Sequence, residues 1–205
     1  MRLAFRLTAT LALLSSRAGD LTSARMTRQL SLLPAMKCEP ARVEHGGEIR
    51  LGRRKLARPI SSRRPLHLVM RSSRAQGRWS MRTKTNDQVV RTGLRRYARR
   101  YGIKVYEFAN VGNHLHLLVR TKCRLGLQNF LRVFAGVTAR RVTGARPGHR
   151  IGKFWEYLAY SRVMTWGRDF LGVRAYVAAN EAECEGSIPP RVHAAVRRRA
   201  FNPRE

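Results

Sequence analysis

Three observations predict an α+β fold, in which an antiparallel sheet carries helices on one face and a further helix follows at the C-terminal end. Short segments that alternate apolar and polar residues are separated by longer segments with helical periodicity. From residue 65 onward these segments follow the order βαββαβ, then a helix. The chain has 205 residues and a hydrophobic content of 43%, which suits one domain with tails.

The first predicted strand covers residues 66–70, and the first predicted helix covers residues 86–101. Gly102 follows this helix directly and is expected to end it, because glycine accepts the left-handed conformation that closes many helices. The residues that should face inward are Val89, Val90, Leu94, Tyr97 and Ala98. The first strand and helix therefore form the opening βα unit.

Residues 103–108 and 114–120 predict two strands joined as a hairpin across residues 110–112. A second helix should end at Gly144, and residues 157–164 predict the fourth strand. The apolar positions of this second helix are Leu127, Phe130, Leu131, Phe134 and Val137. The pattern is ferredoxin-like, with one sheet face covered by helices and the other face open to a ligand.

Two histidines occupy the strand that follows the hairpin turn. His114 and His116 are two residues apart, so they share one face of a strand, while Leu115, Leu117 and Val119 share the other. Two neutral imidazoles on one face could bind a divalent metal ion. A half-buried strand that happens to carry two histidines on its polar side is the alternative interpretation of this pattern. His67 on the first strand could reach the same face or serve only the packing.

The last predicted helix, residues 165–184, presents Phe170, Val173 and Val177 as an apolar stripe. Tyr176 borders this stripe, and Asn180 lies one helical turn further along the same surface. The phenol could attack a phosphate, and the amide oxygen could complete a metal site.

These motifs resemble the single-tyrosine HUH transposases, including the group associated with repetitive extragenic palindromes (REP). The matching segments are residues 113–119, 152–156 and 176–180. The resemblance implies that His114, His116 and Asn180 bind Mg²⁺ or Mn²⁺ and that Tyr176 is the catalytic nucleophile. It also implies nicking and rejoining of single-stranded or hairpin DNA through a 5′-phosphotyrosine intermediate, by a monomer or a homodimer.

The sequence departs from that family pattern at two positions. Gly112 replaces a proline that commonly precedes the Asn-His pair, and Glu181 replaces the proline that usually follows the asparagine. The same fold could also belong to a catalytically degenerate or domesticated DNA-binding protein. A ferredoxin-like RNA-binding module is a further alternative, but such modules place aromatic rings where this chain places histidines.

The charge balance favours a nucleic-acid partner. The chain has 42 Lys and Arg against 12 Asp and Glu, a formal net charge of +30 and an isoelectric point near 11.8. Part of this positive charge could lie on solvent-exposed helix faces without binding nucleic acid. Arg95, Arg99 and Arg120 are the candidate phosphate contacts.

The predicted domain boundaries are residues 1–58 for a poorly structured basic arm, 59–186 for the HUH transposase-like domain and 187–205 for a basic C-terminal tail. The first residues imitate a signal peptide, but their apolar stretch is short and no clean cleavage site follows. We therefore expect a basic arm or a misassigned start codon. The three cysteines, Cys38, Cys123 and Cys184, are widely separated, which favours a reducing cytoplasm. We also expect no membrane-spanning segment.

Overall fold

The computed structural model describes residues 43–50, 56–149 and 151–201. The strands in chain order are β1 (Glu44–His45), β2 (Leu66–Arg71), β3 (Ile103–Asn110), β4 (His114–Thr121) and β5 (Tyr160–Val163). The helices are α1 (Lys84–Arg100), α2 (Arg124–Thr143), α3 (Arg168–Cys184) and α4 (Pro190–Phe201). The predicted α+β fold and the order βαββαβ followed by a helix are confirmed.

The five strands form one sheet in the order β1-β5-β2-β4-β3, and each neighbouring pair is antiparallel. The four strands β5-β2-β4-β3 have the ferredoxin-like arrangement, with β2 and β4 at the centre. β3 and β4 form the predicted hairpin. The histidine-bearing strand β4 is therefore supported by hydrogen-bonded neighbours on both sides.

The main hydrophobic core lies between one face of the sheet and helices α1 and α2. We call this side of the sheet the core face. Its largest fully buried side chains include Leu66, Leu68, Leu115, Leu117, Val119, Phe130 and Phe134. Alternation along β2 and β4 supplies the leucines and the valine, as the period of two predicts. α1 begins after Thr83, whose hydroxyl accepts a hydrogen bond from the Asn86 backbone, and α2 ends at Gly144 with φ +74°.

α3 covers part of the opposite side of the sheet, which we call the site face. Val173 and Val177 of α3 are fully buried there against Ala109, Leu118 and Met164. This second apolar cluster confirms the predicted stripe on α3. It also shows that the face expected to be open is partly roofed by the tyrosine-bearing helix.

β5 is shorter than the predicted strand at residues 157–164. The carbonyl of Leu158 accepts a hydrogen bond from the Gly47 backbone at 2.9 Å. The carbonyl of Ala159 accepts one from the Arg58 guanidinium at 2.8 Å. Because the Gly47 backbone and the Arg58 side chain hydrogen-bond to these two carbonyls, the strand begins only at Tyr160.

Two elements lie in segments for which the sequence analysis predicts neither a helix nor a strand. β1 pairs with β5 and falls within the predicted N-terminal arm, of which residues 1–42 and 51–55 lie outside the described residues. α4 falls within the predicted C-terminal tail and packs on α3. Ala200 of α4 is 3% exposed, and a Cβ added to Gly172 of α3 would lie 3.2 Å from its Cα. Both elements depend on long-range contacts that local sequence patterns do not contain.

In the described part of the chain, no helix is both long and apolar enough to cross a membrane. Cys123 and Cys184 carry free thiols, and Cys38 lies outside the described residues. The predicted cytoplasmic location therefore stays a prediction.

Candidate active site

The turn between β3 and β4 determines that β4 begins at His114. The backbone N–H of Val111 donates to the His114 carbonyl at 3.0 Å, and Gly112 adopts φ +95°. The Gly112 carbonyl accepts from Met81 at 2.9 Å, and a Cβ on Gly112 would lie 3.1 Å from the Ser80 hydroxyl. Glycine is thus favoured here by both its backbone conformation and its close neighbour. The replacement of the usual proline is accommodated by this turn.

His114 and His116 share the site face, as the spacing predicts. Their ring centroids are 4.8 Å apart, with a 77° angle between the ring planes. His116 is only 4% exposed, whereas His114 is half-buried. One imidazole therefore lies inside the protein and the other at its boundary with solvent.

His67 joins this pair from the neighbouring strand β2. Its ring stacks on His116 with centroids 5.4 Å apart and an interplanar angle of 8°. His67 Nε2 lies 3.2 Å from His116 Nδ1, which is a hydrogen bond between the two imidazoles. His67 therefore reaches the site face and contacts His116 directly, which is the first of the two interpretations that the sequence left open.

The hydrogen bonds around the histidines restrict which ring nitrogens carry hydrogen. His114 Nδ1 lies 2.6 Å from the side-chain oxygen of Asn113. A carbonyl oxygen only accepts, so Nδ1 of His114 is the donor and Nε2 of the neutral ring keeps its lone pair. When Nδ1 of His116 donates to His67, Nε2 of His116 is likewise left with a lone pair.

Burial and nearby arginines favour the neutral form of two rings. Burial, followed by the charge of Arg162 across the strand pair, lowers the pKa of His67 to about 3. Burial, followed by the charge of Arg71, also lowers the pKa of His114. Neutral imidazole is the form that binds metal ions.

Tyr176 extends from α3 over the same group of rings. Its ring centroid lies 5.5 Å from that of His116 and 6.3 Å from that of His67, both in edge-on geometry. The structure therefore brings together His114, His116 and Tyr176, three of the four residues to which the sequence assigns the chemistry.

Asn180 is 6% exposed, and its contacts run along its own helix. Its amide nitrogen donates to the Tyr176 carbonyl at 2.7 Å. This bond fixes the carboxamide one turn from the tyrosine and uses its nitrogen, so the amide oxygen is the atom of this side chain that a cation could bind. Among the described residues, no three His, Cys, Asp or Glu side chains come together as a metal site.

The donor chemistry of His114, His116 and Asn180 fits a divalent cation. The set supplies two oriented imidazole nitrogens and one amide oxygen, which are accepted ligand types for divalent metals. The hydrogen bonds of His114 Nδ1 to the Asn113 oxygen and of His116 Nδ1 to His67 resemble the outer interactions that commonly orient metal-binding histidines.

The candidate phosphate contacts lie on different sides of the sheet. Arg120 is half-buried on β4 and shares the site face with the histidines. Arg95 and Arg99 are exposed on α1, which covers the core face. The sequence missed Arg71, which lies opposite His114 in the β2–β4 register and has 57% of its side chain exposed. Arg71 lies four residues after His67 on β2, and this even spacing, which places both side chains on one face, could have indicated it.

The part of the chain that carries these residues matches a known protein family. The model of the family "Transposase IS200 like" matches residues 62–180. That segment runs from just before β2 to Asn180 and includes both histidines and Tyr176. No curated protein matches the chain.

Two solved structures match parts of the chain. A REP-associated tyrosine transposase bound to a REP hairpin has a TM-score of 0.51 and 12% identity, over 66% of this chain and 76% of that one. A candidate transposase from Deinococcus radiodurans R1 has a TM-score of 0.38 and 18% identity, over 62% of this chain and 98% of that one. The first likeness supports the fold. Because the family match extends over more than half of its residues, the chain belongs to the family of IS200-like transposases.

Proposed function

We propose that this transposase cuts and rejoins single-stranded DNA, or the single-stranded flank of a DNA hairpin, with Tyr176 as the nucleophile. The observation that carries the proposal is the contact of the Tyr176 ring with His116, at 5.5 Å between centroids, beside His114. It places a phenol next to two imidazoles that suit a divalent cation. The similar REP-associated transposase is described as bound to a REP hairpin, which agrees with DNA as the partner.

A second tyrosine lies close to the histidines, and its surroundings make it a poorer candidate. Tyr160 on β5 approaches His67 at 6.4 Å between ring centroids. Its hydroxyl donates to the Glu44 carboxylate at 2.9 Å. Burial, then the hydrogen bond and charge of Glu44, raise the pKa of Tyr160 above its ordinary value. A phenol held in its protonated form is a weak nucleophile.

In the proposed reaction the Tyr176 phenol gives up its proton to water, and its oxygen attacks the scissile phosphorus. The bond from phosphorus to the 3′ oxygen breaks, and that oxygen leaves as a free 3′-hydroxyl after taking up a proton. The 5′ phosphate stays on the tyrosine, so the bond energy is kept for the reverse attack by a 3′-hydroxyl. Rigid placement of the phenol against the histidines serves this in-line displacement.

His114, His116 and Asn180 would hold Mg²⁺ or Mn²⁺ in this reaction. When bound, the cation would polarise the phosphate and stabilise charge on the leaving oxygen. Arg71 and Arg120 lie on the same face and could bind neighbouring phosphates through their planar guanidinium groups. Trp166, 46% exposed beside Tyr106 and Phe170, offers a ring on which a base could stack.

The test is incubation with end-labelled hairpin DNA and Mn²⁺, followed by denaturing electrophoresis. We expect a covalent adduct with the native chain and with Tyr160→Phe, and none with Tyr176→Phe. Chemical mapping should place the adduct at a 5′ phosphate. Salt-sensitive binding without any adduct across a hairpin library would instead support a catalytically degenerate DNA-binding protein. An adduct that persists in Tyr176→Phe would assign the nucleophile elsewhere.

A further inference from the structure

Glu181 follows Asn180 on α3, and its carboxylate turns inward instead of toward solvent. Only 16% of its side chain is exposed. One carboxylate oxygen accepts a hydrogen bond from the Asn110 backbone N–H at 2.6 Å, and the other accepts one from the Arg91 guanidinium. Arg82 lies 3.8 Å from the first oxygen. The residue that replaces the usual proline thus binds α1, the end of β3 and the segment before α1.

The groups that donate hydrogen bonds to Glu181 are themselves held by further hydrogen bonds. Arg91 also donates to Asp87 at 2.8 Å, one turn earlier on α1. The fully buried Asn110 donates from its side chain to Asp87 at 2.8 Å and to the Met81 carbonyl at 2.7 Å. Its side-chain oxygen accepts from the Gly112 backbone at 3.1 Å. The carboxylate therefore enters a network that continues into the turn preceding His114.

From this network we propose that Glu181 is a positioning residue, a clamp whose hydrogen bonds seat the tyrosine-bearing helix α3 on the sheet so that Tyr176 faces His116. The inference rests on the proposed function of Tyr176. Tyr176 lies five residues before Glu181, or about 7.5 Å along the helix axis. Apolar packing of Val173 and Val177 holds the helix to the sheet but is not directional. The hydrogen bonds of Glu181 are directional, so they set the rotation and axial position of α3.

The clamp itself is tested with Glu181→Ala and Glu181→Gln. We expect adduct formation to slow roughly ten- to a hundred-fold in Glu181→Ala, because small displacements of a reacting group cost this much. DNA affinity should stay within about twofold of the native value, since Glu181 is an acidic residue that would bind no phosphate. Glu181→Gln can still accept from Asn110, and its rate should lie between those of the native chain and Glu181→Ala.

Glu107→Gln is the matched control. Glu107 on β3 accepts a hydrogen bond from Arg174 of α3 at 3.2 Å, but 54% of the arginine side chain is exposed. Loss of this surface pair should change the adduct rate less than twofold. Equal effects of Glu107→Gln and Glu181→Ala would contradict a specific clamp.

Amide hydrogen exchange separates the clamp from the chemistry. The Asn110 amide should be protected in the native chain and in Glu107→Gln, and it should exchange faster in Glu181→Ala. This readout needs no DNA cleavage. If the native chain formed no adduct while Asn110 kept its Glu181-dependent protection, the proposed function would fail and the clamp would stand. Unchanged protection in a folded Glu181→Ala variant would remove the clamp.

Discussion

The two faces of the sheet differ in what holds them together. The core face is closed by two helices over large apolar side chains such as Phe130 and Phe134, whose rings stack 5.3 Å apart. The site face is covered by one helix over a smaller apolar cluster, and next to it lie the hydrogen-bonded rings of His67 and His116. The contrast indicates that most folding energy comes from one face and the candidate chemistry from the other.

β4 explains how one strand can serve both purposes. Its leucines at positions 115 and 117 are fully buried on the core face, while His114 and His116 alternate with them on the site face. Each histidine is thus held by apolar neighbours that take no part in the chemistry. Substitutions on the two faces should therefore have separable effects.

The largest expected effect is on the core face. Phe134→Ala should lower the free energy of unfolding by about 3 to 5 kcal/mol, because it removes a fully buried ring and leaves a cavity. Urea denaturation followed by circular dichroism measures this loss. Leu171→Ala, at a side chain that is 59% exposed, should stay within about 0.5 kcal/mol of the native value. A large loss of adduct formation per folded Phe134→Ala molecule would show that the faces are coupled.

On the site face, His67→Leu should weaken Mn²⁺ binding about ten- to a hundred-fold, the usual cost of losing an outer hydrogen bond to a metal ligand. In free-energy terms this is about 1.4 to 2.7 kcal/mol. Titration with Mn²⁺ by electron paramagnetic resonance measures it without DNA. His67→Gln, which can still hydrogen-bond to His116, should recover part of the affinity. Equal affinities for His67→Leu and the native chain would make His67 a packing residue.

A smaller effect is expected where α2 ends above the core face. Gly144 has φ +74°, and nothing lies within 4 Å of an added Cβ, so Gly144→Ala should cost about 1 kcal/mol from backbone strain alone. Gly136 inside the same helix also has open space around it. Gly136→Ala should instead stabilise the protein by about 0.5 to 1 kcal/mol. Thermal denaturation of both variants decides whether the two glycines differ as predicted.

The smallest effect concerns DNA binding. If the DNA lies on the site face, Arg120→Ala should reduce the slope of log affinity against log salt by about 0.7 to 0.9, the share of one phosphate contact. Arg95→Ala and Arg99→Ala, on the far side of α1, should leave the slope unchanged. Fluorescence anisotropy at several salt concentrations measures all three. A reduced slope in the α1 variants would show that DNA also contacts the core-face helices.

Much of the fold could be predicted from local sequence patterns. The alternation along β4, the helical stripe on α3 and the glycine after α2 each depend on a few neighbouring residues, and each was confirmed. The start of β5 could not be predicted, because it depends on Gly47 and Arg58, more than 100 residues earlier in the chain.

The faces that the candidate residues occupy could be predicted, but their hydrogen-bond partners could not. The spacing of two predicted that His114 and His116 share one face of β4, and the apolar stripe predicted which side of α3 packs on the sheet; Tyr176, at the border of that stripe, contacts His116. The hydrogen bond between His67 and His116 depends on the register of β2 against β4, which no local pattern reveals. At Glu181 the only sequence signal was a departure from a family pattern. Its hydrogen-bond and ion-pair partners could not be predicted, because they come from three separate segments.

One irregularity of the sheet bears on how this chain could vary in length. β3 carries one extra residue, Tyr106, between the pairs Val105 with Val119 and Glu107 with Leu118. Val105 packs on the core face, while Glu107 and Tyr106 both turn toward α3. Removing either Tyr106 or Glu107 would restore strict alternation without exchanging the faces of the remaining residues, whereas removing another residue inside β3 would invert one end of the strand. Related chains with a β3 shorter by one residue can therefore keep both faces intact if the loss falls here.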